Sequence, residues 1–125
     1  MFQISSFKNM DCIFCKIIKG EIPTEFLYKD SDVVAFRDIH PIAPVHVLVI
    51  PVEHIPSVAD LQDKDTKLVG KLIMIAKKIA EDLNIAQDGY KLLFRVKKHG
   101  GQEIDHIHLH LIGGAQLSED IRPVS

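Results

Sequence analysis

The chain has no tryptophan, only two tyrosines and two cysteines in 125 residues. The cysteines, Cys12 and Cys15, lie three positions apart, and a staple that short would do little for the fold, which argues against a disulfide-built scaffold. Long apolar runs are missing too, because Lys, Asp or Pro breaks each stretch before membrane-spanning length. No charge of one sign dominates. The formal net charge is −2, with acidic and basic residues interspersed, so there is no general electrostatic footprint for nucleic acid or anionic lipid. Neither a nucleic-acid nor a membrane partner is expected. Met1 to Asn9 lacks the apolar core and small-residue cleavage site of a secretory leader, and a cytoplasmic location is expected.

What is present suits one globular domain. Hydrophobic residues make up 46% of the chain, enough to fill a core. The domain is expected over residues 11–125. Residues 1–10 read as a loose N-terminal extension in which Met10 is an alternative start. Cys12 to Lys19 has the apolar spacing of a short amphipathic helix stopped by Gly20. Phe26–Tyr28 and Val33–Phe36 read as strands around a turn at Lys29–Asp32, and Val45–Ile50 as a third strand after the proline-bounded loop Pro41–Pro44. Leu68, Leu72, Ile75, Ile79 and Leu83 recur at helical spacing, with Asp63 or Asp65 as candidate cap and Asn84 near the end. Tyr90–Val96 and His106–Ile112 complete five predicted strands. Without regular βαβ alternation, the expected class is α+β, a five-stranded antiparallel sheet with one long helix and a short N-terminal one.

The most informative segment is His106-Ile107-His108-Leu109-His110-Leu111-Ile112. A period of two places the imidazoles on one face of a strand and Ile107, Leu109 and Leu111 on the other. Strict alternation argues against histidines that merely decorate an exposed edge. A three-histidine metal site is a second possibility, but two ligands at most come comfortably from adjacent same-face positions, and no carboxylate has matching spacing. Nucleophilic catalysis at phosphorus is the third. The loop Gly100-Gly101-Gln102-Glu103 just upstream favours it, since unhindered backbone N–H groups can wrap a phosphate. His46 opens a strand and is either a core histidine or part of the same site. Asp38 either initiates a turn or holds ribose hydroxyls. Cys12 and Cys15 have zinc-ligand spacing, with His54 available as a third ligand; two buried reduced thiols are the alternative.

Taken together, these residues resemble the histidine triad (HIT) family, in its branch of histidine triad nucleotide-binding proteins. The resemblance runs through Cys12-Ile13-Phe14-Cys15-Lys16-Ile17-Ile18, Gly20-Glu21-Ile22-Pro23, Ala35-Phe36-Arg37-Asp38-Ile39, Pro44-Val45-His46-Val47-Leu48-Val49-Ile50-Pro51, Gly100-Gly101-Gln102-Glu103 and His106 to Ile112. It implies a homodimer whose two sheets join, and a purine nucleotide whose α-phosphate lies against the triad. It implies His108 as the nucleophile that becomes nucleotidylated, flanked by His106 and His110, with His46 as the fourth histidine. Asp38 would bind ribose. Ile13, Phe14, Ile17, Phe36, Ile39 and Leu48 would enclose the base, and Gln102 and Glu103 would meet the phosphate and leaving group. A structural Zn²⁺ would be held by Cys12, Cys15, His54 and His106.

The activity so implied is hydrolysis or transfer at the α-phosphate of nucleoside phosphoramidate-like substrates. One alternative is a nucleotide- or zinc-binding adaptor with incidental activity. Another is a dinucleoside polyphosphate hydrolase, disfavoured because that branch usually carries Gln where this chain has His110. Three departures stand out. Arg95 replaces a usual Asn, Lys97 a frequent Gly, and the C-terminal Trp of some relatives is absent. Arg95 and Lys97 either add charge beside the phosphate path, favouring a longer polyphosphate, or point outward.

Overall fold

A computed structural model describes residues 11–124. The expected extension at 1–10 lies outside the described residues. Helix α1 spans Ile13–Ile18, and Cys12 starts it by accepting the Cys15 N–H at its sulfur, 3.4 Å away. Gly20, at φ +82°, allows the chain to leave the helix in the left-handed region. Strands β1 (Phe26–Lys29) and β2 (Val33–Arg37) flank a turn that Asp30 builds. Its Oδ1 accepts the N–H groups of Asp32 and Val33 at 2.8 and 2.9 Å.

Strand β3 spans Val45–Pro51, helix α2 Thr66–Asp82, β4 Tyr90–Leu93 and β5 Leu109–Gly113. The sheet is antiparallel throughout, in the order β1-β2-β3-β5-β4. This is the expected α+β architecture. Among the described residues no helix is long and apolar enough to cross a membrane.

The two faces of the sheet carry different cores. Val33, Ala35, Val47, Val49, Leu109 and Leu111 pack against Leu72, Ile75, Ala76, Ile79 and Ala80 of α2. The opposite face, built from Val34, Phe36, Leu48 and Ile50, is covered by Cys12, Phe14, Cys15 and Ile17 around α1. The alternation of β5 therefore separates a structural face from a chemical one.

Three details differ from expectation. Strand β4 ends at Leu93 rather than Val96, because the Val96 and Lys97 carbonyls turn into the loop and accept N–H groups of Gly100 and Gln102. Strand β5 begins at Leu109 rather than His106. The backbone before it is held elsewhere: the Ile107 N–H bonds to the Ile55 carbonyl at 2.7 Å, and His106 N–H to Ile104 at 2.9 Å. Neither Asp63 nor Asp65 caps α2 with its side chain. Asp65 instead accepts the Gln62 N–H at 2.9 Å and closes the preceding 3₁₀ turn.

Candidate active site

The β3–β5 register sets His110 opposite Leu48 and Ile112 opposite His46. Even-numbered residues of both strands thus share the face toward α1. On that face His46, His108 and His110 line a cavity of about 750 Å³, within the size range of small-ligand sites. Its apolar wall comes from Ile13, Phe14 and Ile17 of α1, Phe36 and Leu48 of the sheet, and Ile39 of the loop before β3. That placement accounts for Ile39, an isoleucine left 80% exposed. Phe14 packs edge-on against Phe36, His106 and His108, with ring centroids 5.7, 5.8 and 5.1 Å apart, and so fixes the imidazole planes.

Backbone groups decide which nitrogen of each histidine carries the proton. The Ile42 N–H donates to His46 Nδ1 at 3.2 Å, leaving the His46 proton on Nε2. That Nε2–H donates to His110 Nδ1 at 2.9 Å, which places the His110 proton on its own Nε2. Among the described residues His110 Nε2 is a buried polar atom with no partner, so it is a hydrogen-bond donor awaiting an acceptor. His108 Nδ1 donates to the His106 carbonyl at 2.7 Å, so its Nε2 keeps a lone pair. His106 Nε2 donates to the Pro51 carbonyl at 2.8 Å, so its lone pair is on Nδ1. These tautomers follow from the partners, since a carbonyl only accepts and an amide N–H only donates.

Burial keeps the rings neutral. It pushes His106 down to about 4 and His110 down to about 3. His46 and His108 also titrate below the ordinary value of 6.5, again chiefly through desolvation, with the Asp38 charge opposing the shift at both. A neutral, oriented imidazole at His108 is the form that attacks an electrophile.

Asp38 lines the cavity and serves two purposes. One carboxylate oxygen accepts the His40 N–H at 2.9 Å, and the other lies 3.5 Å from His46 Nε2. The turn and the site are compatible, because a carboxylate has more acceptor positions than the turn uses. Glu103 also lines the cavity, whereas Gln102 does not. The Gln102 amide braces the loop instead: it accepts the Lys97 N–H at 2.9 Å and donates to the carbonyls of Pro56 and Ile104 at 2.7 and 2.9 Å. His106 is likewise behind the wall, fully buried. The cavity includes residues the sequence did not single out for the site, among them Ile22, Arg37, His40, Ile42 and Ile104. Ile22 and Arg37 lie in stretches that carry the family resemblance, but no residue pattern assigned any of the five to the cavity; the end of β2 and the folded loops bring them in. Arg95, conspicuous as a departure, faces the cavity.

A second cluster adjoins the first. Ligand atoms of Cys12, Cys15, His54 and His106 all lie within 4.8 Å of one another. His106 Nδ1 is 3.4 and 3.6 Å from the sulfurs of Cys12 and Cys15, and His54 Nδ1 is 3.3 Å from Cys15 Sγ. Metal bonds of ~2.3 Å to sulfur and ~2.0 Å to nitrogen at tetrahedral angles place S and N ~3.5 Å apart. The donor set and spacing therefore fit a closed tetrahedral metal site, and the His106 lone pair already faces the sulfurs. Without a cation, burial and then the neighbouring Cys12 push the Cys15 thiol up to about 12.

Comparison with known proteins identifies the family. The HIT domain family model matches residues 19–117. A purine nucleoside phosphoramidase of Escherichia coli strain K12 is 50% identical over 107 residues, covering 86% of this chain and 90% of the relative. The crystal structure of a HIT family hydrolase from Legionella pneumophila superposes with a TM-score of 0.85 at 46% identity, covering 87% of this chain and 97% of that one. A HIT family hydrolase from Clostridium thermocellum gives 0.86 at 43% identity, covering 90% and 97%. The chain belongs to the HIT domain family.

Proposed function

We propose that this HIT-type nucleotide hydrolase cleaves purine nucleoside phosphoramidates at the α-phosphorus, with His108 as nucleophile. The observation that carries this is the pinned tautomer of His108: Nδ1 is held by the His106 carbonyl, and the free Nε2 lone pair belongs to a ring on the cavity wall. The name of the Escherichia coli relative supports the substrate class.

In this reading His108 Nε2 bonds to phosphorus as the P–N bond breaks. The electron pair of that bond leaves with the amine nitrogen, which takes a proton from solvent. Water then attacks the phosphohistidine: its oxygen bonds to phosphorus, its proton returns to solvent, and the electron pair of the breaking P–Nε2 bond returns to His108. The unpartnered Nε2–H of His110 is suited to the phosphoryl oxygen on which charge develops. Ile13, Phe14, Ile17, Phe36, Ile39 and Leu48 offer an apolar slot for the base, and Asp38 an acceptor for ribose hydroxyls. Glu103, which also lines the cavity, would meet the leaving group, while Gln102 holds the loop in shape.

Cys12, Cys15, His54 and His106 are proposed to hold Zn²⁺. With four protein ligands the ion would be structural, fixing His106 and the start of α1. Two unpaired cysteines suit a reducing, cytoplasmic compartment. A homodimer is also proposed. The β4 edge offers unpaired backbone, and Ile73 and Met74 of α2 expose apolar surface.

The test is the intact mass of the protein after rapid mixing with adenosine 5′-phosphoramidate. A transient adenylyl adduct, absent in His108→Ala while that variant still binds AMP, is expected. Tight nucleotide binding without turnover or adduct in the native chain would instead indicate a binding adaptor.

A further inference from the structure

The cavity mouth carries a guanidinium that the proposed hydrolytic steps do not use. Arg95 lies just beyond β4 and lines the cavity together with Gly101, Glu103, His108 and His110. Its side chain runs along the glycine turn: a Cβ added to Gly101 would stand 3.8 Å from both Cδ and Nη1 of Arg95. The residue is exposed, and among the described residues no carboxylate pairs with it. Lys97 and Lys98 of the same loop do not line the cavity.

Arg37 is the other guanidinium on the wall, but it ends β2 beside Asp38. Arg95 instead follows the Gly100–Gly101 turn and lines the cavity with Glu103 of the same loop.

In-line attack by His108 sends the leaving group away from that ring, toward the open side of the cavity. Arg95 and Glu103 both stand on the cavity rim. Glu103 repels a negatively charged leaving group there, and Arg95 offsets that repulsion. The phosphoryl oxygen has its own donor in His110 Nε2–H.

We infer that Arg95 selects substrates whose leaving group carries its own negative charge, by pairing with that charge at the cavity mouth. This rests on the proposed cleavage at the α-phosphorus. The charge belongs either to a carboxylate on the departing amine or to a departing phosphate. The two sources differ kinetically. A carboxylate keeps its charge unchanged as the P–N bond breaks, so Arg95 binds substrate and transition state alike and acts on KM. A departing phosphate gains charge as the P–O bond breaks, its oxygen taking the electron pair, so Arg95 then also raises kcat.

The experiment measures kcat and KM of the full chain and of Arg95→Asn and Arg95→Lys. The substrates are the adenosine 5′-phosphoramidates of glycine and of glycinamide, its neutral isostere, together with ADP. The native chain is expected to prefer glycine. Arg95→Asn is expected to lower the glycine-to-glycinamide ratio of kcat/KM by about tenfold, the effect of one charge-assisted hydrogen bond, chiefly through KM. Arg95→Lys recovers part of the ratio, because it keeps the charge but not the fork. A selective loss on ADP alone, in kcat as well as KM, identifies phosphate as the recognised group. An unchanged ratio and unchanged ADP kinetics in Arg95→Asn would overturn the inference, and so would equal losses on all three substrates. Failure of the native chain to cleave either phosphoramidate would instead overturn the parent reaction.

Discussion

The role of His46 toward His110 is testable in depth. Its Nε2–H fixes the His110 proton on Nε2 from 2.9 Å away, while its own Nδ1 is fixed by Ile42 N–H at 3.2 Å. In His46→Ala, water that fills the space can donate to His110 Nδ1 or accept from it, and the two tautomers compete. The donor toward the phosphoryl oxygen is then lost for part of the population. A hydrogen bond to a charged group contributes ~1.5–3 kcal/mol, so complete loss corresponds to a ~10–150-fold fall in kcat. Truncation also exchanges the bonds to Ile42 N–H and His110 Nδ1 for bonds to water, and two hydrogen bonds at ~0.5–1.5 kcal/mol each correspond to ~1–3 kcal/mol of stability. That is a fall in Tm of about 4 °C per kcal/mol for a chain of this size.

The assay pairs steady-state kinetics with ¹⁵N NMR of the histidine ring nitrogens. Native His110 is expected to show a protonated Nε2, and His46→Ala a mixture. The pairing separates positioning from packing, since a purely structural residue would alter Tm without altering the His110 tautomer. A His46→Ala enzyme whose kcat stays within about threefold of native while the tautomer shifts would refute the reasoning.

Three further outcomes are expected. Protein purified without added metal should hold one zinc per chain by elemental analysis. Chelation should lower Tm, and Cys12→Ser should abolish both the zinc and the sensitivity to chelator. Asp38 should make 2′-deoxy-AMP bind more weakly than AMP by ~1.5–3 kcal/mol in calorimetry, and Asp38→Ala should erase the difference. Stability should fall in acid: His110 takes up a proton near 6.5 when unfolded, but only near 3 when folded. Its contribution is therefore complete above about pH 6.5 and declines below it by up to ~1.4 kcal/mol per pH unit. Tm measured at pH 8, 6.5 and 5 should show this, and His110→Asn should flatten the profile.

Periodicity made the architecture legible. The i, i+3, i+4 stripe of α2 and the alternation through β5 hold in the folded chain, because each pattern buries one apolar face. The strand ends were not legible. Whether Val96 continues β4 depends on where its carbonyl turns, and whether His106 joins β5 depends on Ile55, far away in sequence. The histidine row pointed to the chemistry but could not assign its protons. Those depend on Ile42, Pro51 and the His106 carbonyl, which are backbone groups any sequence would carry. Gln102 shows the same limit. Its neighbours suggest phosphate contact, yet its amide is tied to three backbone groups by the loop geometry.

The chain of donors from Ile42 through His46 to His110 has an electrostatic consequence. Every link points the same way, N–H to lone pair, so the dipoles of one peptide and two imidazoles add head to tail. Such alignment polarises each member and strengthens the last donor. The cavity thereby gains a small counterpart of a helix N-terminus, assembled from side chains rather than from turns of backbone. Because both rings are uncharged, it offers an anion positive potential without placing a formal charge in a desolvated wall.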